Sequence, residues 1–521
     1  MKRASVLIVA LSVFVVGTSI AAVRLPGMFS DAMVLQRDIK LPVWGWAEPG
    51  EEVTVAIAGQ KVTGTADKDG RWRVTLAPLK ADGKGLEMTV SGKTNTIIFK
   101  DVLVGEVWLC GGQSNMAMGV AGSLNATQEI AAAHFPQIRL YQATRYPSPV
   151  ARTEHRGNWA VCSSQNVGGW TAAGFFFARH LHKELGVPVG LINTSMGSMP
   201  IQTFASIQSL KVIPSARAKL EEYEKLVQVC LAQSGADSLP VKSGDQLEAL
   251  YRETTNKIDA KLGSCGDQPE ALYNSSIFPL APYALRGAIW YQGESYSPDP
   301  DYYAQALPAL ITDWRKVWGQ GDFPFGVVQL PNFGKRQQNA IGDGWPEFRE
   351  AQYKGAQAVK NAGLVTTIDI GEPDIHPRSK QDVGKRLALW ALANVYDQKN
   401  LPWRGPMFKA MQIEEDRIRI AFDDMGGGLQ VKGAEPMGFA IAGKDKIFHL
   451  TQARLDGDSV VVWSDKVKEP VAVRYAWAGN PVGNLFNQAG LPAMPFRTDT
   501  WAANEVHAAD GEKIAPAPDT K

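Results

Sequence analysis

The chain has 521 residues, more than a single hydrophobic core ordinarily serves, so two or three domains are expected. Apolar residues make up 45% and charged residues 21%, a globular balance that excludes a disordered chain. With 54 basic against 53 acidic side chains and a net charge of +1, nothing favours nucleic acid or an anionic membrane surface as partner.

Residues 1–22, MKRASVLIVALSVFVVGTSIAA, combine a basic start (Lys2, Arg3), an apolar stretch over 6–16 and small residues at Ser19 and Ala21. That is the layout of a cleavable secretory signal, and the apolar stretch falls short of the roughly 20 residues that span a bilayer. No cysteine stands at the cleavage point, so no membrane anchor is indicated. An exported protein, periplasmic or extracellular, is expected.

Over 23–100 the segments VTVAIAG, KVTGTA, WRVTLAPL, LEMTVSG and NTIIF are short, β-branched and parted by EPGEE, DKDG and ADGKG, which predicts an N-terminal β-sandwich-like domain. From 101 to 400 compact apolar runs (VLVGEVWLCG, VGLINTS, RGAIWYQG, FPFGVVQLP, GLVTTIDIG) alternate with helical stretches. Among these, SKQDVGKRLALWALANV puts Val383, Leu387, Trp390 and Ala391 on one face. Strands alternating with helices predict an α/β domain, a parallel sheet with helices on both faces. Residues 206–270 carry polar helical patterns and no strand signal, and read as an insertion. Short strands return over 401–502 (RIRIAF, SVVVWS, PVAVRYAW), a C-terminal β-sandwich-like region, and the polar, Pro-rich 503–521 reads as a flexible tail.

Of the four cysteines, Cys110 sits in an apolar run and reads as a small buried hydrophobe. Cys230 and Cys265 go with separate helical patterns, near 214–233 and 245–262. Packed as an antiparallel hairpin, those ends stand about 25 Å apart, so that bridge is not expected.

Ligands of open parallel sheets sit beyond the carboxyl ends of strands. There the chain places GGQSN at 111–115, NTSMGS at 193–198, YQGES at 291–295 and GEPDIHP at 371–377. A serine, a glycine turn, a glutamine and an Asp-x-His are the parts acyl transfer needs. Ser114 is a nucleophile once a base takes its proton, His376 is a candidate base, and Asp374 can fix the imidazole tautomer. The peptide N–H groups of Ser114 and Gly197, with the Gln292 amide, are candidate oxyanion donors. Gln113, Asn115, Glu294 and Arg349 are candidate substrate contacts. Each piece has a plainer reading: Gly-Gly-x-Ser as a turn, Asp374 as a cap before Pro377, Gln292 and Glu294 as buried groups bonded to backbone, and Arg349 as a partner for neighbouring acids. Trp290 and Tyr291 read as strand-end core rather than sugar platforms. The other histidines do not compete, since His180 and His182 point to different faces and no HExxH or Cys/His cluster exists; no metal is expected. G-x-S-x-G is absent, which disfavours an α/β-hydrolase elbow.

GQSNM at 112–116, WYQGES at 290–295 and DIHP at 374–377 resemble the sialate O-acetylesterase family within the SGNH hydrolases. The resemblance extends to MFSDAMVLQRD (28–38), VWGWAEPGEEV (43–53), PVAVRYAWAGNP (470–481) and GLPAMPFRTDTW (490–501), in order along nearly the whole mature chain. It implies an SGNH-type, flavodoxin-like core and a serine esterase that deacetylates a carbohydrate, with no cofactor. Ser114 would be nucleophile, His376 base and Asp374 acid, with Gly197 and Gln292 at the remaining oxyanion positions. Two departures stand out. The wider pattern puts the acid three residues before the histidine, which is Pro373 here, so Glu372 or a backbone carbonyl competes with Asp374 as orienter. Where relatives often show Gly-Gly-Thr, this chain has Gly197-Ser198-Met199. The implied substrate is O-acetylated sialic acid; the rivals are an acetylated plant polysaccharide such as xylan and, in another class, a non-catalytic carbohydrate-binding protein.

Overall fold

The computed structural model describes residues 22–143, 146–234, 256–257, 268–296, 299–337 and 341–509. The expected signal segment, Cys265 and most of the 245–262 helical pattern lie outside them. Cys110, Cys162 and Cys230 are free and buried. No helix of the described residues is long and apolar enough to cross a membrane.

One strand organises the molecule. Thr96–Gly112 begins in the N-terminal β region, antiparallel to Leu86–Ser91, then takes Val34–Gln36 as a parallel neighbour. Its last residues lie between Val189–Asn193 and Gly287–Tyr291, parallel to both. The division expected at residue 100 therefore falls inside a continuous strand, and the N-terminal region and the core share it. Across the central sheet the order is Ala362–Val365, Phe325–Val328, Gly287–Tyr291, Thr96–Gly112, Val189–Asn193, Phe135–Ala143, Gly157–Cys162, with only the last pair antiparallel. The chain lays strands first on one side of Thr96–Gly112 and then on the other. Its carboxyl end is thus a topological switch point, where loops diverge and leave a crevice.

Both faces of the sheet are covered, as the alternation of side chains requires. Gly287–Tyr291 sends Ala288 and Trp290 into one core, with Trp314 and Phe348, and Ile289 and Tyr291 into the other, with Trp108, Phe177 and Trp390. Helices Pro300–Trp318 and Trp345–Gln357 pack together over the first core, and Ala172–Leu185 and Lys380–Asn394 over the second. The helix-face expectation holds here, since Val383, Leu387, Trp390 and Ala391 are all buried. This is an SGNH-like α/β core with added β regions at both ends of the chain.

Within the insertion, the described part holds helices Ile207–Leu210 and Pro214–Ser234. C-terminal to the core, a four-stranded sheet (including Met407–Glu414 and Arg417–Asp423) and a five-stranded one (including Phe439–Ala442 and Ala472–Tyr475) enclose their own apolar cluster. Residues 503–509 of the expected tail are packed. His507–Ala508 pairs with Ile447–Leu450, Val506 is buried beside Phe448 and Trp477, and Glu505 pairs with Lys446. One apolar residue and one acid in a polar, Pro-rich composition suffice to dock 503–509, and composition averages hide them.

Candidate active site

Ser114 stands where the central strand stops. Gly112 adopts φ 131°, and a Cβ there would lie 2.1 Å from the carbonyl oxygen of Tyr291; a Cβ on Gly111 would lie 2.8 Å from the Trp314 ring. Only glycine fits the first position, which lets the chain turn against the neighbouring strand and open the short helix Ser114–Ala117. Gly197 arrives from the next strand, and a Cβ on it would meet Ser114 Cβ at 3.7 Å. The following Ser198 takes the left-handed conformation, φ 61°, that glycine favours. Among the described residues, the N–H groups of Ser114 and Gly197, on the loops after two adjacent strands, have no protein acceptor.

The loop between Ala362–Val365 and Lys380–Asn394 carries His376 to this point. His376 Nε2 is 2.8 Å from Ser114 Oγ, within hydrogen-bond reach. Asp374 Oδ1 accepts the His376 peptide N–H at 2.7 Å and stands 3.4 Å from Nδ1. Of the two expected carboxylates it is Asp374 that stands beside the ring, whereas the Glu372 carboxylate pairs with Arg378 at 3.1 Å.

A buried polar network backs this loop. Asn115 is fully buried; its amide nitrogen donates to the Ile375 carbonyl at 2.9 Å and to Glu294 Oε1. Its amide oxygen accepts from Lys380 Nζ at 2.7 Å, and the same ammonium donates to the Pro377 carbonyl at 2.6 Å. The residues on either side of His376 are therefore each held by a carbonyl clamp. Burial pulls the Lys380 ammonium down to about 8, opposed by nearby Glu294. Burial likewise pushes the Glu294 carboxyl up, against the Asn115 bond.

The four candidate substrate contacts all have protein partners in this structure. Gln113 is buried, and its Oε1 accepts from Gln292 Nε2 at 3.0 Å and from the N–H groups of Gly293 and Ser295. Asn115 and the Glu294 carboxylate face each other inside the protein. Arg349 is 1% exposed and spends its guanidinium on the carbonyls of Leu330, Pro331, Ala478 and Gly479, joining the core to the C-terminal region.

Gln292 is fully buried, and its amide nitrogen donates to Gln113 Oε1 at 3.0 Å and to the Met199 carbonyl at 3.3 Å, while its Oε1 has no partner among the described residues. Trp290 and Tyr291 are fully buried, as expected of core.

Sequence reading missed Lys380. Its only signal was position, at the head of the stripe Val383 and Leu387, where a lysine shares the apolar face of its helix.

Residues 104–393 match the family described as carbohydrate esterase, sialic acid-specific acetylesterase. The sialate O-acetylesterase of Mus musculus is 31% identical over 91% of this chain and 94% of its own, and that of Homo sapiens 30% identical over 91% and 92%. The crystal structure of a novel carbohydrate acetylesterase from Xanthomonas citri superposes with a TM-score of 0.79 at 36% identity, covering 92% of this chain and all of its own.

Proposed function

The chain belongs to the carbohydrate esterase family of sialic acid-specific acetylesterases and is a carbohydrate O-acetylesterase, and from that premise we propose that it removes O-acetyl groups from sialic acid. The observation that carries the chemistry is the 2.8 Å approach of His376 Nε2 to Ser114 Oγ at the sheet's switch point.

In this reading Ser114 Oγ attacks the acetyl carbonyl while His376 Nε2 takes its proton. The developing oxyanion lies against the peptide N–H groups of Ser114 and Gly197; each such donor is worth about 3–4 kcal/mol in the transition state. Asp374, through the peptide N–H it accepts and the nearby Nδ1, orients the ring and favours the imidazolium. His376 then returns the proton to the departing sugar hydroxyl. In the second half, a water gives its proton to His376 and adds to the acetyl-serine; the acyl–Oγ bond then breaks, acetate leaves, and His376 returns the proton to Ser114 Oγ. Action outside the cytoplasm is part of the proposal, resting on the signal-like residues 1–22.

An acetylated plant polysaccharide is the second reading. It is favoured by the Xanthomonas citri enzyme, which is described only as a carbohydrate acetylesterase and is more similar in sequence than the mammalian sialate enzymes. Acetate release from O-acetyl sialic acid and from acetylated xylan, by wild type and Ser114→Ala, separates the readings. The proposal expects the sialic acid ester to be preferred and the variant to release no acetate above background. A preference for xylan overturns the substrate assignment. Equal background rates for both proteins on both substrates leave the non-catalytic reading.

A further inference from the structure

Two loops leave adjacent strands at the edge that carries Ser114. One follows Phe325–Val328 and the other, with His376, follows Ala362–Val365. Between them lies a cavity of about 500 Å³, lined by Asn332, Lys335 and Arg336 from the first loop, Glu372 and Pro373 from the second, and Asn480. That volume is within the range of small-ligand sites. Pro373 is three residues from His376, so the wall of the cavity it forms lies within about 10 Å of that residue along the same loop.

Its frame is fixed. Phe333 pairs with Glu372 in an isolated bridge, Asn332 Oδ1 accepts the Gly371 N–H at 2.6 Å, and Asn332 Nδ2 donates to Asn480 Oδ1 at 3.0 Å. The charges do not cancel. Glu372, the one acid in the lining, is already paired with Arg378. Lys335 and Arg336 are exposed and, among the described residues, neither has a carboxylate partner. Two uncompensated cations over a fixed polar floor, beside an esterase centre, favour an anion on the same molecule as the ester.

We propose that this cavity is a carboxylate subsite, in which Lys335 and Arg336 read the acid group of an acidic sugar while its acetyl ester lies at Ser114. The inference rests on the sialic acid reading and supplies its physical basis, since neutral xylan offers these cations nothing. Because both are solvent-accessible, the discrimination appears in KM and weakens with salt.

The test compares O-acetyl sialic acid with its carboxamide, which keeps the sugar and the ester but removes the charge. The substrates are given to wild type and to the Lys335→Ala/Arg336→Ala double variant, with p-nitrophenyl acetate measured alongside to report the state of the Ser114–His376 pair. Wild type is expected to favour the acid about tenfold or more in kcat/KM, the scale of a hydrogen bond to a charged group. In the double variant this ratio falls toward unity, through KM. A ratio of one in wild type, or a ratio unmoved in the variant, overturns the subsite while the esterase reading stands. If wild type cleaves p-nitrophenyl acetate but neither sugar, the sialic acid reading falls and the subsite with it.

Discussion

Asn115 Nδ2 donates to the Ile375 carbonyl at 2.9 Å, tying the residue after Ser114 to the residue before His376 across 260 positions of chain. Lys380 completes the arrangement by holding Asn115 Oδ1 and the Pro377 carbonyl. The loop that carries His376 is therefore tied to the Ser114 turn by side chains bonded to protein atoms. Asn115→Ala and Lys380→Met are expected to lower kcat by about tenfold to a hundredfold, the scale of a displacement near 1 Å, with little change in KM. Steady-state kinetics on p-nitrophenyl acetate check this. A rise in KM at constant kcat would instead make these residues substrate contacts.

The same lysine carries a stability signature. Burial pulls its folded value to about 8, against 10.5 for the free side chain. Below pH 8 the folded state bears a buried charge that the unfolded chain solvates at no cost. Between roughly 8 and 10.5 the unfolded state binds more protons, so the native state gains stability as pH rises. The melting temperature of wild type minus that of Lys380→Met should increase from pH 7 to pH 10. A flat or falling difference contradicts the assignment.

Arg349 is a brace between the core and the C-terminal region. Arg349→Ala strands four carbonyl groups that it now satisfies and should cost about 3–5 kcal/mol, by analogy with removing one partner from a buried charged network. Arg349→Lys does not restore it, because an ammonium lacks the planar fork that reaches all four acceptors. Denaturant unfolding of the two variants tests this. Wild-type stability in Arg349→Ala would show the brace carries no load.

Ser198 occupies a left-handed backbone position beside Gly197 while its side chain is exposed. Ser198→Gly removes that strain and should raise stability by about 1 kcal/mol, read as a higher denaturant midpoint at constant slope. A lower midpoint means the hydroxyl contributes more than the backbone loses.

The core strands were legible because each is a compact apolar run closed by Gly, Asn, Gln or Pro, and GGQSN and DIHP were legible because their chemistry is local to a strand end. The last two strands of the sheet, Phe135–Ala143 and Gly157–Cys162, escaped notice because the connection between them is too long for a turn signature. Side-chain direction was not legible. Gln113, Asn115, Gln292 and Glu294 stand in or beside the strand-end motifs in sequence, yet Gln292 donates to Gln113 and Asn115 donates to Glu294, pairings that only packing decides. Lys380 was hidden for the opposite reason, since a lysine opening an amphipathic helix ordinarily reads as solvated surface.

An acetyl group captured on the enzyme tests the reaction most directly. Wild type and Ser114→Ala are mixed with p-nitrophenyl acetate, quenched in acid within the first turnover, and mapped by peptide mass spectrometry. The mechanism predicts one acetyl group on the peptide bearing Ser114 in wild type and none on the corresponding peptide of the variant. Acetyl-free wild-type peptide, together with undiminished acetate release by Ser114→Ala, would contradict it.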